Sequence, residues 1–137
     1  MYKFRSAYSR HYLEVKSEIA NGKKCEHWMW FMFPQLRGLG HSEYSFYYGL
    51  TGLSQAREFY EDAYLGPRFV KLVQLTLKLK TFDKLEECFG PIDTLKYHSS
   101  MTLFWLATHK KIFKKALDTF FNGKYCERTE RILGKIE

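Results

Sequence analysis

Two stretches of this sequence hold residues whose types and spacing could do chemistry. The first, CEHWMWFMFPQLRGLG from Cys25 to Gly40, gathers His27, Trp28, Trp30, Phe31 and Phe33, then turns through Pro34 into a Gly-Leu-Gly loop that carries Arg37. Flat rings of this kind can stack on a base, and an arginine between a helix end and two glycines could offer a planar fork to phosphate or carboxylate. Gly38 and Gly40 permit positive φ and a close backbone approach there. The second stretch, KYHSSMTLF, sets Lys96, Ser99 and Ser100 at i, i+3 and i+4 on neighbouring rows of one helix, followed by Thr102. A Ser-Lys pair activates a hydroxyl nucleophile only if the lysine is desolvated enough to be neutral. The same groups could instead hydrogen-bond an anionic ligand, or bond within the fold to a carbonyl four residues earlier or to a neighbouring helix.

Each stretch also has a purely structural reading. The rings could all be core, although buried Trp and His bring N–H groups that need partners. The glycine loop could be a helix stop beside a surface arginine. Neither a P-loop nor a dinucleotide fingerprint is present, since G-x-x-x-x-G-K-[ST] is missing and no strand precedes the glycines. His11, His27, His41, His98 and His109 show no metal-ligand spacing, and Cys25-x-His27 supplies at most two ligands, so no metal is expected. Glu58, Glu61, Asp62, Glu86 and Glu87 read as solvated helix charges, which leaves the catalytic residues unidentified.

The elements that must position these residues are helices. Phe4, Tyr8, Tyr12, Val15 and Ile19 repeat at three and four residues and predict a helix over 4–20, stopped by Asn21-Gly22. A shorter helix fits 24–33, because Pro34 restricts the residue before it. Ser42 can cap a turn bearing Tyr44, Tyr47 and Tyr48, Ser54 can cap QAREFYEDAY, and Pro67 suits the first turn of the next helix. Asp83 can cap KLEECF, and Gly90-Pro91 precedes a long segment from Ile92 to about Thr108. Ile112, Phe113, Ala116, Leu117, Phe120 and Phe121 give the cleanest amphipathic stripe, closed by Asn122-Gly123, with only a short turn over 129–133 beyond it. Strand alternation and hairpin turns are absent. The expectation is therefore an all-α, compact single-domain bundle of about six to eight helices with short loops, spanning 1–137, with Trp28, Phe31, Leu72, Phe104, Leu117 and Phe120 buried.

At 137 residues the chain can bury about 68% of its unfolded surface and needs no staples. Three scattered cysteines suggest neither a disulfide framework nor a zinc knuckle, and no secretory signal or long apolar run stands out, so a cytoplasmic protein is expected with no membrane partner. An aromatic content of 18% exceeds what core filling needs, which points some rings toward recognition. The net charge of +7 would attract phosphates, nucleic acids or acidic proteins, but its densest run, HKKIFKK, reads better as a solvated helix face.

In order along nearly the whole chain, HWMWFMFPQLRGLG, Tyr48-Gly49, LGPR at 65–68, FG at 89–90 and SSMTLF at 99–104 resemble domain-of-unknown-function family eighteen-ten, small all-helical bacterial proteins sometimes mislabelled calpastatin. The resemblance implies a compact helical domain and no established activity. It departs at His98, where Arg is common before the paired serines. If relatives use that position for a phosphate, His98 would serve only weakly near neutral pH.

The functional expectation is a groove between the 24–33 helix with its glycine loop and the 92–106 helix. His27, Trp28, Trp30 and Tyr48 would supply rings, while Arg37, Gly38, Gly40, Lys96, Ser99, Ser100 and Thr102 would hold the phosphate of a nucleotide-like or other phosphorylated small molecule. No cofactor is implied. For an enzyme, cleavage of an N-glycosidic bond in an ADP-ribose- or NAD-type compound is the first reaction to test. The alternative is a non-enzymatic interaction module that docks an acidic protein or nucleic acid through its basic surface.

Overall fold

Phe4, Tyr8, Val15 and Ile19 form the buried stripe of α1 (Tyr2–Ala20), which ends where Gly22 takes φ 72°. The chain is seen in a computed structural model that describes residues 1–24 and 27–136; Cys25, Glu26 and Glu137 lie outside the described residues. After α1 come α2 (Met29–Met32), α3 (Glu43–Tyr48), α4 (Leu53–Glu61), α5 (Leu65–Leu77) and α6 (Phe82–Phe89). They are followed by α7 (Pro91–Thr108), α8 (Lys111–Phe121) and α9 (Glu127–Ile136). The fold is all-α, and its nine described helices slightly exceed the expected six to eight because single turns such as α2 count as elements of their own.

The long helix α7 lies at the centre, packed on α4 and α8 and flanked by α6 and α9, while α1 packs on α5 and α2. Residues on every side of α7 are buried, from Thr94 and Tyr97 to Phe104 and Ala107, so it needs no single apolar stripe. Its neighbours supply rings: Phe69 of α5 lies 4.6 Å from Phe104, 5.3 Å from Phe59 and 5.6 Å from Phe113. The six residues expected to be buried, Trp28, Phe31, Leu72, Phe104, Leu117 and Phe120, are all in the core. Among the described residues no helix is long and apolar enough to cross a membrane.

Several local expectations change. The helix expected over 24–33 shrinks to Met29–Met32, because the Lys24 N–H goes to the Cys88 carbonyl and ties the incoming chain to α6. Gly52 takes the N-cap place expected of Ser54, and Thr81, whose hydroxyl accepts from the Lys84 N–H, takes that expected of Asp83. Asp62 is not a solvated charge. Burial alone would raise its carboxyl, but the N–H groups of Leu65 and Tyr64, together with Arg5, hold it below the usual carboxylate value. The last helix runs well beyond 129–133, anchored by buried Thr129 and Leu133. Cys88 and Cys126 are free thiols, and burial pushes Cys88 up to about 11; Cys25 lies outside the described residues.

Candidate functional site

The aromatic stretch divides between core and surface. Trp28 turns inward, donates its indole N–H to Glu18 Oε1 at 2.9 Å, and packs its ring 5.7 Å from Phe89. Lys24 lies 4.9 Å over that ring and pairs with Asp93 at 2.9 Å. Asp93 also meets Lys96 at 3.5 Å, and the Lys96 ammonium lies 4.9 Å over Trp30. Two lysines bridged by one carboxylate thus strap both tryptophans to the first turns of α7.

Trp30, Phe31 and His27 come together, but not as one face of a helix over 24–33: only residues 29–32 are helical, and Trp28, which helical spacing would set on another face, joins them. Together with Trp28 and Tyr48, they line a groove of about 860 Å³ whose other wall is Arg10, His11 and Glu14 of α1 and whose end is Tyr44 of α3. Trp30 and Tyr44 are stacked at 5.0 Å, Tyr44 and Tyr48 at 6.4 Å, and His11 lies 5.4 Å from Phe31. Burial raises the Tyr48 hydroxyl above its usual value and Tyr47 adds to this, while the Arg10 cation pulls the other way. Among the described residues Arg10 and Glu14 have no hydrogen bond or ion pair. Arg10 precedes Glu14 by four residues, and this order, base before acid along a helix, is the weaker orientation for an ion pair.

Sequence reasoning missed Arg10, His11 and Glu14. Their signal was the polar row at i, i+1 and i+4 beside the buried stripe of α1, which any surface helix shows.

The glycine loop serves the fold. Arg37 donates from Nε to the Phe46 carbonyl at 2.9 Å and lies 4.1 Å over the Phe46 ring, while Lys3 Nζ donates to the Tyr47 carbonyl. Lys3 thus takes a carbonyl at the end of α3, and Arg37 adds a second bond to the Phe46 carbonyl, which also accepts from the Gly49 N–H at 3.3 Å. Burial and the nearby Arg37 charge both lower the Lys3 ammonium below its usual value. Gly38 adopts φ 103°, and a Cβ at Gly40 would meet the Ser45 side chain at 2.8 Å. The loop is pinned on its other side where the Arg37 N–H donates to the Leu50 carbonyl at 2.8 Å. Arg37→Ala is therefore expected to cost about 1 kcal/mol, a charged hydrogen bond discounted for exposure, read as a lower urea midpoint with unchanged slope.

The hydroxyls of α7 are likewise engaged. Ser99 bonds Thr129 at 2.7 Å, and Thr102 donates to the His98 carbonyl while accepting from the Cys126 N–H, both at 2.9 Å. These bonds hold the start of α9 against α7. Ser100 Oγ, fully buried, is the single buried side-chain polar atom among the described residues with no hydrogen-bond partner. Lys96, Ser99 and Gly40 line a second, smaller cleft of about 290 Å³ with His98, Leu39 and Arg128. Of the residues predicted from sequence, His27, Trp28, Trp30 and Tyr48 thus share one groove, and Gly40, Lys96 and Ser99 share another. Arg37, Gly38, Ser100 and Thr102 line neither. No group of three or more potential metal ligands gathers among the described residues.

His98 donates from Nε2 to the Lys124 carbonyl at 2.7 Å and stacks on Phe121 at 3.9 Å. Burial lowers its pKa below 6.5, against the opposing pull of that hydrogen bond. A base whose folded pKa is depressed binds more protons when unfolded, so its contribution is complete above about pH 6.5 and declines as pH falls below it. Thermal melts from neutral pH to about pH 5 should show this loss, and His98→Gln should flatten it.

Known proteins place this fold in context. The crystal structure of the conserved hypothetical protein Rv1873 from Mycobacterium tuberculosis is similar, with a TM-score of 0.90 and 38% sequence identity over 96% of this chain and 94% of that one. Comparison with curated proteins gives no match. The profile of the protein family of unknown function DUF1810 matches residues 1–133, and the chain belongs to that family.

Proposed function

We propose that the groove between α1, the aromatic stretch and α3 binds a nucleotide-like, phosphorylated small molecule. The observation that carries this reading is the unpaired Arg10 guanidinium beside a row of rings, an anion-binding fork next to a stacking surface. The anion end is assigned to Arg10, because Arg37 already holds α3 and Ser99 already holds α9. Trp30, Tyr44, Tyr48 and His27 form the wall for the base, and Lys96 steadies Trp30 from behind. Cleavage of an N-glycosidic bond in a compound of this class is the reaction to test.

A second reading has its own observation. Tyr44, Phe46 and Tyr47 of α3 are more than half exposed, with Arg37 and Lys3 lying over the last two, which suits docking of nucleic acid or an acidic protein on a chain of net charge +7. A thermal-shift screen of mononucleotides, NAD, ADP-ribose, sugar phosphates and a single-stranded oligonucleotide separates the two. Stabilisation by a small molecule that persists at high salt supports the groove; stabilisation by the oligonucleotide alone, lost steeply with salt, supports the docking surface.

A further inference from the structure

We infer that Glu14 selects the base of the ligand, and that the groove prefers a guanine nucleotide. This rests on the groove reading and narrows it. A carboxylate is an acceptor only, so in the groove it repels phosphate and calls for a ligand edge made of N–H donors. Arg10 stands one turn before it on the same helix, their Cβ atoms about 6 Å apart as for any i, i+4 pair, and among the described residues the two form no ion pair. The wall therefore presents a cation for an anionic end and, beside it, a carboxylate for a donor-bearing end, with the stacked Trp30 and Tyr44 lining the same groove.

A nucleoside phosphate has this polarity, and among the bases guanine fits the carboxylate best. Its N1–H and exocyclic amine are adjacent donors that match the two carboxylate oxygens. Hypoxanthine retains only the N1–H. Adenine turns a lone pair at N1 toward one oxygen, so adenine compounds such as NAD and ADP-ribose are disfavoured by repulsion. Glu14 is exposed, so water softens the penalty of acceptor facing acceptor, and the preference expected is moderate.

The test is equilibrium titration of GMP, IMP and AMP into the full chain, wild type and Glu14→Gln, with a thermal melt of each to show equal folding. GMP should bind about tenfold tighter than IMP, with AMP weakest. Glu14→Gln exchanges one acceptor for a donor, so it should erase the advantage of GMP over IMP and improve AMP. Wild type binding all three equally, or Glu14→Gln keeping the same order, overturns the assignment of Glu14 while leaving the groove in place. Binding of none of the three overturns the groove reading and this inference together.

Discussion

Replacing Phe69 by Ala is expected to destabilise the protein by about 3–5 kcal/mol, the cost of removing a fully packed aromatic ring. Phe69 is completely buried, and its ring touches those of Phe33, Phe59, Phe104 and Phe113, drawn from four separate segments of the chain. Truncation removes edge and face contacts to all four at once. Such a void closes poorly, because the rings around it belong to different segments that would each have to shift. Urea denaturation measures the effect directly, and a loss below about 1 kcal/mol would mean that the aromatic centre can collapse around the gap.

Gly66→Ala should cost about 3 kcal/mol, at the upper end of what overpacking does. A Cβ at this position would sit 2.1 Å from the Tyr60 carbonyl oxygen. That obstacle is backbone in the last turn of α4, and the Gly66 N–H is itself bonded to the Asp62 carbonyl at 2.9 Å, so neither side can swing away. On helix propensity alone the substitution would stabilise α5 by about 1 kcal/mol. The sign of the measured change therefore decides between close packing and propensity.

The helices were legible wherever a buried stripe met a stop signal: α1 with Asn21-Gly22, α7 after Gly90-Pro91, and α8 with Asn122-Gly123 all follow from spacing and backbone chemistry. The aromatic stretch was half legible. The rings were visible as a cluster, but their grouping does not follow helical spacing, because α2 is shortened alongside a long-range bond from Lys24 to Cys88 that no local pattern encodes. Arg37 drew attention because an arginine beside glycines is suited to anions, yet its fork is as well suited to the carbonyls at a helix end. Only the folded chain brings Phe46 within reach of it. Arg10 and Glu14 were hidden for the opposite reason. Charges on an exposed helix row look alike in sequence, and these two differ from the rest through the aromatic wall that α2 and α3 set beside them.

The most direct measurement is calorimetric titration of GMP into wild type, Arg10→Ala and Arg37→Ala at low and high salt. Expected is saturable one-to-one binding to wild type that changes little with salt, a loss of about tenfold or more in Arg10→Ala from removal of a charged hydrogen bond, and near-wild-type affinity in Arg37→Ala. Equal affinity in wild type and Arg10→Ala, or a loss confined to Arg37→Ala, would contradict a phosphate site at the α1 wall of the groove.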